Sequence, residues 1–312
     1  MKLTSASIRS ETQGYHKTTH CAKDYQETQT TRPDFEPLKP VIMTKSPNPT
    51  WTSGIGVTES ASTGSADHVE VDPYALDRPM TSNYTLLISG IAPRPVGFLS
   101  TASKDGKKNL APFSYFQVVD HDPPMFIVGF SASSGRAKDT FKNLTETGEC
   151  VINTVSEDMV EAMVATSIDA PAGVSEWEIS GLTEAPSSTV AAARVKESVF
   201  SIEGKLVDIK ELGIPEEGSV AATTLIKASR FWVRRDATND GVSHIDIEKL
   251  RPIAQLGGEA YARISETFEV PRRKWSAFLQ QLEAEHANSS EREEVKSIVE
   301  EAQELRGEGG QI

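Results

Sequence analysis

A mainly β fold, an antiparallel barrel carrying peripheral helices, is the fold class this sequence predicts. Three observations carry that expectation. Short β-rich runs recur at 96–101 (VGFLST), 110–119 (LAPFSYFQVV), 124–131 (PMFIVGFS), 149–155 (ECVINTV), 198–209 (SVFSIEGKLVDI) and 220–234 (VAATTLIKASRFWVR). Turn chemistry such as Lys104-Asp105-Gly106 and Asp122-Pro123-Pro124 separates them. Helical patterns are too few for βαβ repetition, and no G-x-G-x-x-G joins a strand to a helix, so a dinucleotide-binding α/β sheet is disfavoured. No P-loop, H-E-x-x-H or G-x-S-x-G is present either.

Taken in order, the chain divides into 1–71, 72–265 and 266–312. The first 70 residues hold 20 Ser or Thr and little apolar periodicity, which predicts disorder over about 1–35 because such a chain cannot bury enough surface to offset its ordering entropy. From 33 to 53, prolines alternate with Phe35, Leu38, Val41, Ile42, Met43 and Trp51, a pattern that fits an extended arm laid over a folded domain as well as it fits a linker. Within the central domain, 138–147 reads as a helix stopped by Gly148. A second helix is expected over 157–166, with Ser156 as its N-cap and Met159, Val160, Met163 and Val164 on one face. The C-terminal part predicts a helical hairpin: Trp275, Phe278, Leu279 and Leu282 at helical spacing, then a capping box at Ser290–Glu293 and a stripe of Val295, Ile298, Val299, Ala302 and Leu305.

Charge narrows the function classes. The formal net charge is -13 with a pI near 5.0, which argues against a nucleic-acid partner, since phosphate backbones select basic surfaces. Two cysteines, Cys21 and Cys150, supply neither a disulfide framework nor a multi-cysteine metal site. No apolar run approaches the roughly 20 residues of a membrane span. A cytoplasmic protein is the expectation; a mitochondrial presequence stays open as the alternative, weakened by Glu11 and the scarcity of arginine near the start.

The chemistry-bearing region runs from Pro93 to Val155. If the strands are antiparallel neighbours, the ends of three loops converge on one mouth: Ser100-Thr101, then Asn109, Ala111, Pro112, Phe113 and Ser114, then Ser131, Ser133, Arg136, Lys138, Asp139 and Thr140. One surface offers hydroxyls, turn amides and two cations, which suit a phosphate dianion. The other offers the small and flat groups Ala111, Pro112 and Phe113, which suit a planar ring. Phosphate with a flat heterocycle describes FMN. The same residues also read as a solvated serine-rich turn beside the start of a helix.

Ordered short motifs settle which reading to carry forward. Arg94-Pro95-Val96, Ser100-Thr101, Asn109-x-Ala-Pro-Phe-Ser114, Asp122-Pro123-Pro124, Lys138-Asp139-Thr140 and Gly148-Glu-x-Val-Ile-Asn153 resemble the flavin reductase-like, FMN-binding split-barrel family. The likeness continues through Ala165-Thr166-Ser167, Gly173-x-x-Glu176-Trp177 and Gly181-Leu182-Thr183, covering roughly 80–235. The resemblance implies a homodimer of six-stranded, Greek-key split barrels with FMN at the subunit interface and NADH or NADPH as hydride donor. It implies that 109–114 lies along the isoalloxazine edge, mainly through backbone groups and Ser114. Ser100 and Thr101 would approach the ring or ribityl chain. Ser131, Ser133, Arg136, Lys138 and Thr140 would hold ribityl and phosphate, with Asp139 orienting donors. On that reading Pro112 is accepted in a strand because a flavin covers its surface. No catalytic side chain is implied.

Remaining features read as structural. His121 and His244 are expected at the surface, and Cys150 as a small buried residue rather than a redox thiol. Gly257-Gly258 and Tyr261, in 250–264, resemble a family stretch reaching toward the partner subunit, where it would line the substrate side of the flavin, with structural bracing at the dimer seam as an equal alternative. Two rival classes stay beside the enzyme: an FMN carrier that turns over nothing, and a dimeric interaction module without flavin.

Overall fold

The computed structural model describes residues 29–57, 67–131, 137–168, 170–171, 174–213, 221–285, 295–297 and 299. Among these, 29–41 and 72–265 form one compact unit, and 42–57, 67–71 and 266–299 belong to a second. The expected arm is therefore divided between two units at Val41. No described helix is long and apolar enough to cross a membrane.

The larger unit is built on an antiparallel sheet. Its strands are β3 (Gly97–Ala102), β4 (Lys108–Phe113), β5 (Phe116–His121), β6 (Pro124–Phe130), β7 (Glu149–Asn153), β10 (Phe200–Gly213) and β11 (Ala221–Val233), in the spatial order β4-β3-β7-β10-β11-β6-β5. That makes seven strands rather than six. The run 110–119 bends at Ser114-Tyr115: the part before the bend pairs with β3 and the part after it with β6, so one expected strand becomes two. The sheet curls on itself: the Phe116 ring lies over Gly97, so close that a Cβ at Gly97 would sit 2.8 Å from it. Only glycine fits that approach.

Helices fill the ends and flanks. They are α1 (Met80–Gly90), α2 (Asp139–Thr147), α3 (Val160–Ala165), α4 (Glu176–Ser180) and α5 (Ile247–Leu250). α2 ends as expected at Gly148, which adopts φ 70° and returns its N–H to Leu144. The second expected helix opens instead with a 3-10 turn over Glu157–Met159. Ser156 does not cap it, because its hydroxyl donates to the Leu250 carbonyl at 2.7 Å. A short sheet joins β2 (Arg94–Pro95), β12 (Ile253–Gly257) and β13 (Ala260–Arg263). A Cβ at Gly257 would lie 3.3 Å from the Ile88 carbonyl, so this hairpin packs closely on α1 within the unit. A ribbon of β8 (Glu184–Ala185) and β9 (Arg194–Val195) completes it.

Strand alternation creates two apolar cores. Leu99, Phe113, Phe126, Val128, Phe130, Ile152, Ile202 and Ile226 line the inside of the curl with Phe141 and Leu144 of α2. Phe98, Leu110, Val155, Met163, Trp177 and Val195 form the other, beneath α3 and α4. Cys150 sits in the first core, and burial pushes its thiol up to about 12, as expected of a structural cysteine. His121 is exposed.

Residues 35–41 do lie on this unit, held chiefly by polar contacts. Arg263 stacks over Phe35 at 4.4 Å, Glu157 accepts from Leu38 N at 3.2 Å, and Arg251 donates to the Lys39 carbonyl at 3.3 Å. In the smaller unit β1 (Ile42–Thr44) pairs in parallel with β14 (Glu266–Phe268), and α6 (Trp275–Glu285) sets Leu279 against Val295 and Val299. Arg273 donates to the Trp51 carbonyl at 2.7 Å and stacks on its ring. The expected capping box, Ile298, Ala302 and Leu305 lie outside the described residues.

A buried carboxylate locks the 187–192 loop to the sheet. Burial alone would raise the Glu203 pKa, but the Thr189 hydroxyl, the Ser188 and Thr189 N–H groups and the Trp232 indole all donate to it and hold it at about 2. A depressed carboxyl stabilises the fold above its unfolded-state pKa and loses that contribution as pH falls through the folded value. Glu203→Gln is expected to cost about 2–3 kcal/mol at pH 7. In thermal melts the gap between variant and parent should close as pH drops from the ordinary carboxylate range toward 2; a gap independent of pH would contradict this assignment.

Candidate functional site

Three aromatic residues fix where the predicted loops meet. Phe113 and Phe130 pack edge to face with centroids 4.9 Å apart, and Phe130 packs likewise on Phe141 at 5.2 Å. Ser114 follows the first ring in sequence, Ser131 follows the second, and Thr140 precedes the third. The contact of the rings therefore gathers the end of β4, the end of β6 and the start of α2 at one end of the inner core.

The start of α2 is chemically distinctive. Lys138 occupies the N-cap position, extended and exposed, and gives no side-chain cap to the helix. Asp139, half-buried, accepts from Lys142 at 3.3 Å. Thr140 points inward instead of toward solvent. Its hydroxyl accepts from the Asn109 amide at 2.8 Å, and one turn later Asn143 donates to Thr101 at 3.1 Å. These four side chains are only 1–8 % exposed, so Thr101, Asn109 and Thr140 are brought together, but to one another.

Strand parity separates other members of the predicted set. On β3 and β4, Leu99 and Phe113 face the inner core, whereas Phe98 and Leu110 face the outer one. Ser100 therefore points away from Thr101, and its buried hydroxyl donates to the Ala193 carbonyl. Phe113 spends its ring in the core, so the flat surface expected of it is absent and its backbone is what it can offer a ligand. Ala111 is half-buried against the same core. Ser131 is exposed; Ser133 and Arg136 lie outside the described residues.

Pro112 has a local explanation. β4 is an edge strand, and Leu110 N–H points off that edge to the Glu176 carboxylate at 3.2 Å. Because N–H directions alternate along an antiparallel strand, Pro112 shares the outward parity of Leu110 and forfeits no bond to β3. Burial raises the Glu176 carboxyl above its ordinary range, offset in part by N–H donors from its own backbone and Leu110.

Sequence reasoning left three residues out of the site that the structure brings to it. Glu176 holds the edge of β4, Asn143 fastens α2, and Arg94 organises the other side of Ser114. Arg94 is buried; it donates to the Ile88 carbonyl, to the Ile91 carbonyl at 2.7 Å and, through Nε, to the Ser114 hydroxyl at 3.3 Å. The carbonyls at the C-terminus of a helix lack intrahelical donors, and Arg94 supplies them to α1. The place of Arg94 in the Arg94-Pro95-Val96 motif was the available signal. Replacing Arg94 by Met removes these bonds while keeping the stem, and is expected to cost about 3 kcal/mol in urea unfolding. Amide exchange should accelerate in α1 and at 114–115; an unchanged midpoint would show that the guanidinium bonds contribute nothing.

Comparison with known proteins gives a consistent picture. The family model described as "Flavin reductase like domain" matches residues 89–237. An uncharacterized protein of Halalkalibacterium halodurans is 38% identical over 208 residues, covering 65% of this chain and 96% of its own. Component B of nitrilotriacetate monooxygenase from Bacillus cereus superposes with a TM-score of 0.62 at 33% identity, over 66% of this chain and 100% of its own. A 2-nitrobenzoate 2-nitroreductase from Pseudomonas fluorescens shares the fold, with a TM-score of 0.59 at 23% identity, over 67% of this chain and 98% of its own.

Proposed function

Because the chain belongs to the flavin reductase-like family, we propose that it is an FMN-binding oxidoreductase acting as a cytoplasmic homodimer. It would take hydride from NADH or NADPH and deliver electrons to free flavin, oxygen or a small organic acceptor. The observation that supports this most is the meeting of β4, β6 and α2 through Phe113, Phe130 and Phe141, beside a helix start that offers a cation and no side-chain cap.

That arrangement fits a phosphorylated flavin. A dianion at the start of α2 would meet first-turn N–H groups and the Lys138 ammonium, with Arg136, Ser131 and Ser133 added from the sequence. The end of β4, from Ala111 to Ser114, would lie along the ring through backbone groups, with the Ser114 hydroxyl oriented by Arg94. When bound, FMN supplies the hydride and electron chemistry. The chain's own work is to hold the phosphate, orient the ring and keep donors where negative charge develops. Self-association is supported by β5, an edge strand on which Val118 and Val119 both stand about half exposed.

Purified protein is expected to be yellow, to release FMN on denaturation and to elute as a dimer in light scattering. Anaerobic NADH or NADPH should bleach the bound flavin; bleaching by neither would leave a carrier. Replacing Arg136 and Lys138 together by Ala should weaken FMN binding by about 100-fold or more, the loss of two charge-assisted contacts. A colourless, monomeric chain that takes up no FMN on titration would overturn the reading.

A further inference from the structure

Two buried polar pairs tie α2 to the sheet, and their placement is specific. Thr101 and Asn109 are directly opposite each other on β3 and β4, so their side chains share a face. Thr140 and Asn143 are three residues apart on α2, which also puts them on one face. Asn109 donates to Thr140 at 2.8 Å and Asn143 to Thr101 at 3.1 Å, so the two opposite strand residues meet two stacked helix residues. Phe141 and Leu144 also anchor the helix in the inner core. Apolar burial is non-directional, however, and leaves a helix free to slide or rotate slightly. Hydrogen bonds tolerate only a narrow range of distance and angle.

We infer that Thr101, Asn109, Thr140 and Asn143 form a clamp that fixes the first turn of α2 against β4 and so sets the spacing between the phosphate end and the ring end of the flavin site. The inference rests on the function proposed above and changes the roles of three residues within it: Thr101, Asn109 and Thr140 are positioning residues, not ligand contacts. β4 then holds the ring and α2 the phosphate. A ligand spanning both gains from the second anchor only if the two are held at the right separation. Riboflavin, which has the ring and lacks the phosphate, gains nothing from the clamp.

The experiment compares the two ligands on the full-length protein. Thr140→Val and Thr101→Val are near-isosteric and each deletes one hydrogen bond. For each, FMN and riboflavin dissociation constants are measured by quenching of flavin fluorescence, with melting curves confirming the fold. The expected result is an FMN constant raised by about tenfold or more with riboflavin changed by less than about threefold, so that the preference for FMN collapses. Thr140→Ser should restore it. Equal losses for both ligands, or no loss for FMN, would overturn the clamp. If the parent protein binds FMN and these outcomes follow, the clamp alone fails; if the parent binds neither flavin, the proposed function fails first. The two positions test different bonds, so a folding defect in one variant leaves the other to decide.

Discussion

Edge-to-face packing of Phe113, Phe130 and Phe141 is the contact on which the remaining geometry depends. The three rings come from two strands that are not sheet neighbours and from the helix that plugs the curl between them. Each ring sits immediately beside a polar segment in sequence, so their mutual burial carries those segments to one place. Apolar contact thus supplies the convergence, and the polar residues next to it are left to refine position or meet a ligand.

The polar residues divide their labour by strand parity. Inward-facing positions on β3 and β4 hold α2 through Thr101 and Asn109, and the outward-facing ones serve the second core or the edge. A buried hydroxyl or amide is costly unless paired, and every one of these is paired within the chain. Lys138 and Ser131 stay exposed, and Ser114 is half-buried. The side chains most deeply built into this region are therefore its frame, while those nearer solvent are the ones not spent on it.

Much of the frame was legible from residues alone. Strands at 97–102, 124–130 and 149–153 and the helix ended by Gly148 followed from local pattern and turn chemistry, because those segments bury one clear face. Where local signals failed, a tertiary partner had displaced them. Ser156 looked like a cap and serves the Leu250 carbonyl. The run 110–119 looked continuous and bends at Ser114-Tyr115, where its pairing passes from β3 to β6. α1 escaped notice because it follows Pro79 with no polar cap, and only Ile88 of its residues is buried. The resemblance pointed to a candidate region, but it could not tell residues open to a ligand from those spent on the frame: Asn109 and Thr140 stand in its motifs, and their mutual hydrogen bond shows that they face each other.

The pairing of β1 with β14 also has a temporal meaning. Ile42 and Glu266 are partners across the whole intervening domain, so the strand pair joins segments separated by over two hundred residues. As the polypeptide leaves the ribosome, the segment at 42–57 must wait for the segment beyond 265 before the smaller unit can close. The larger unit has nearly all of its strands available by then. Biosynthesis therefore imposes an order of assembly, with the curled sheet maturing first and the unit that unites the two flanks completing last.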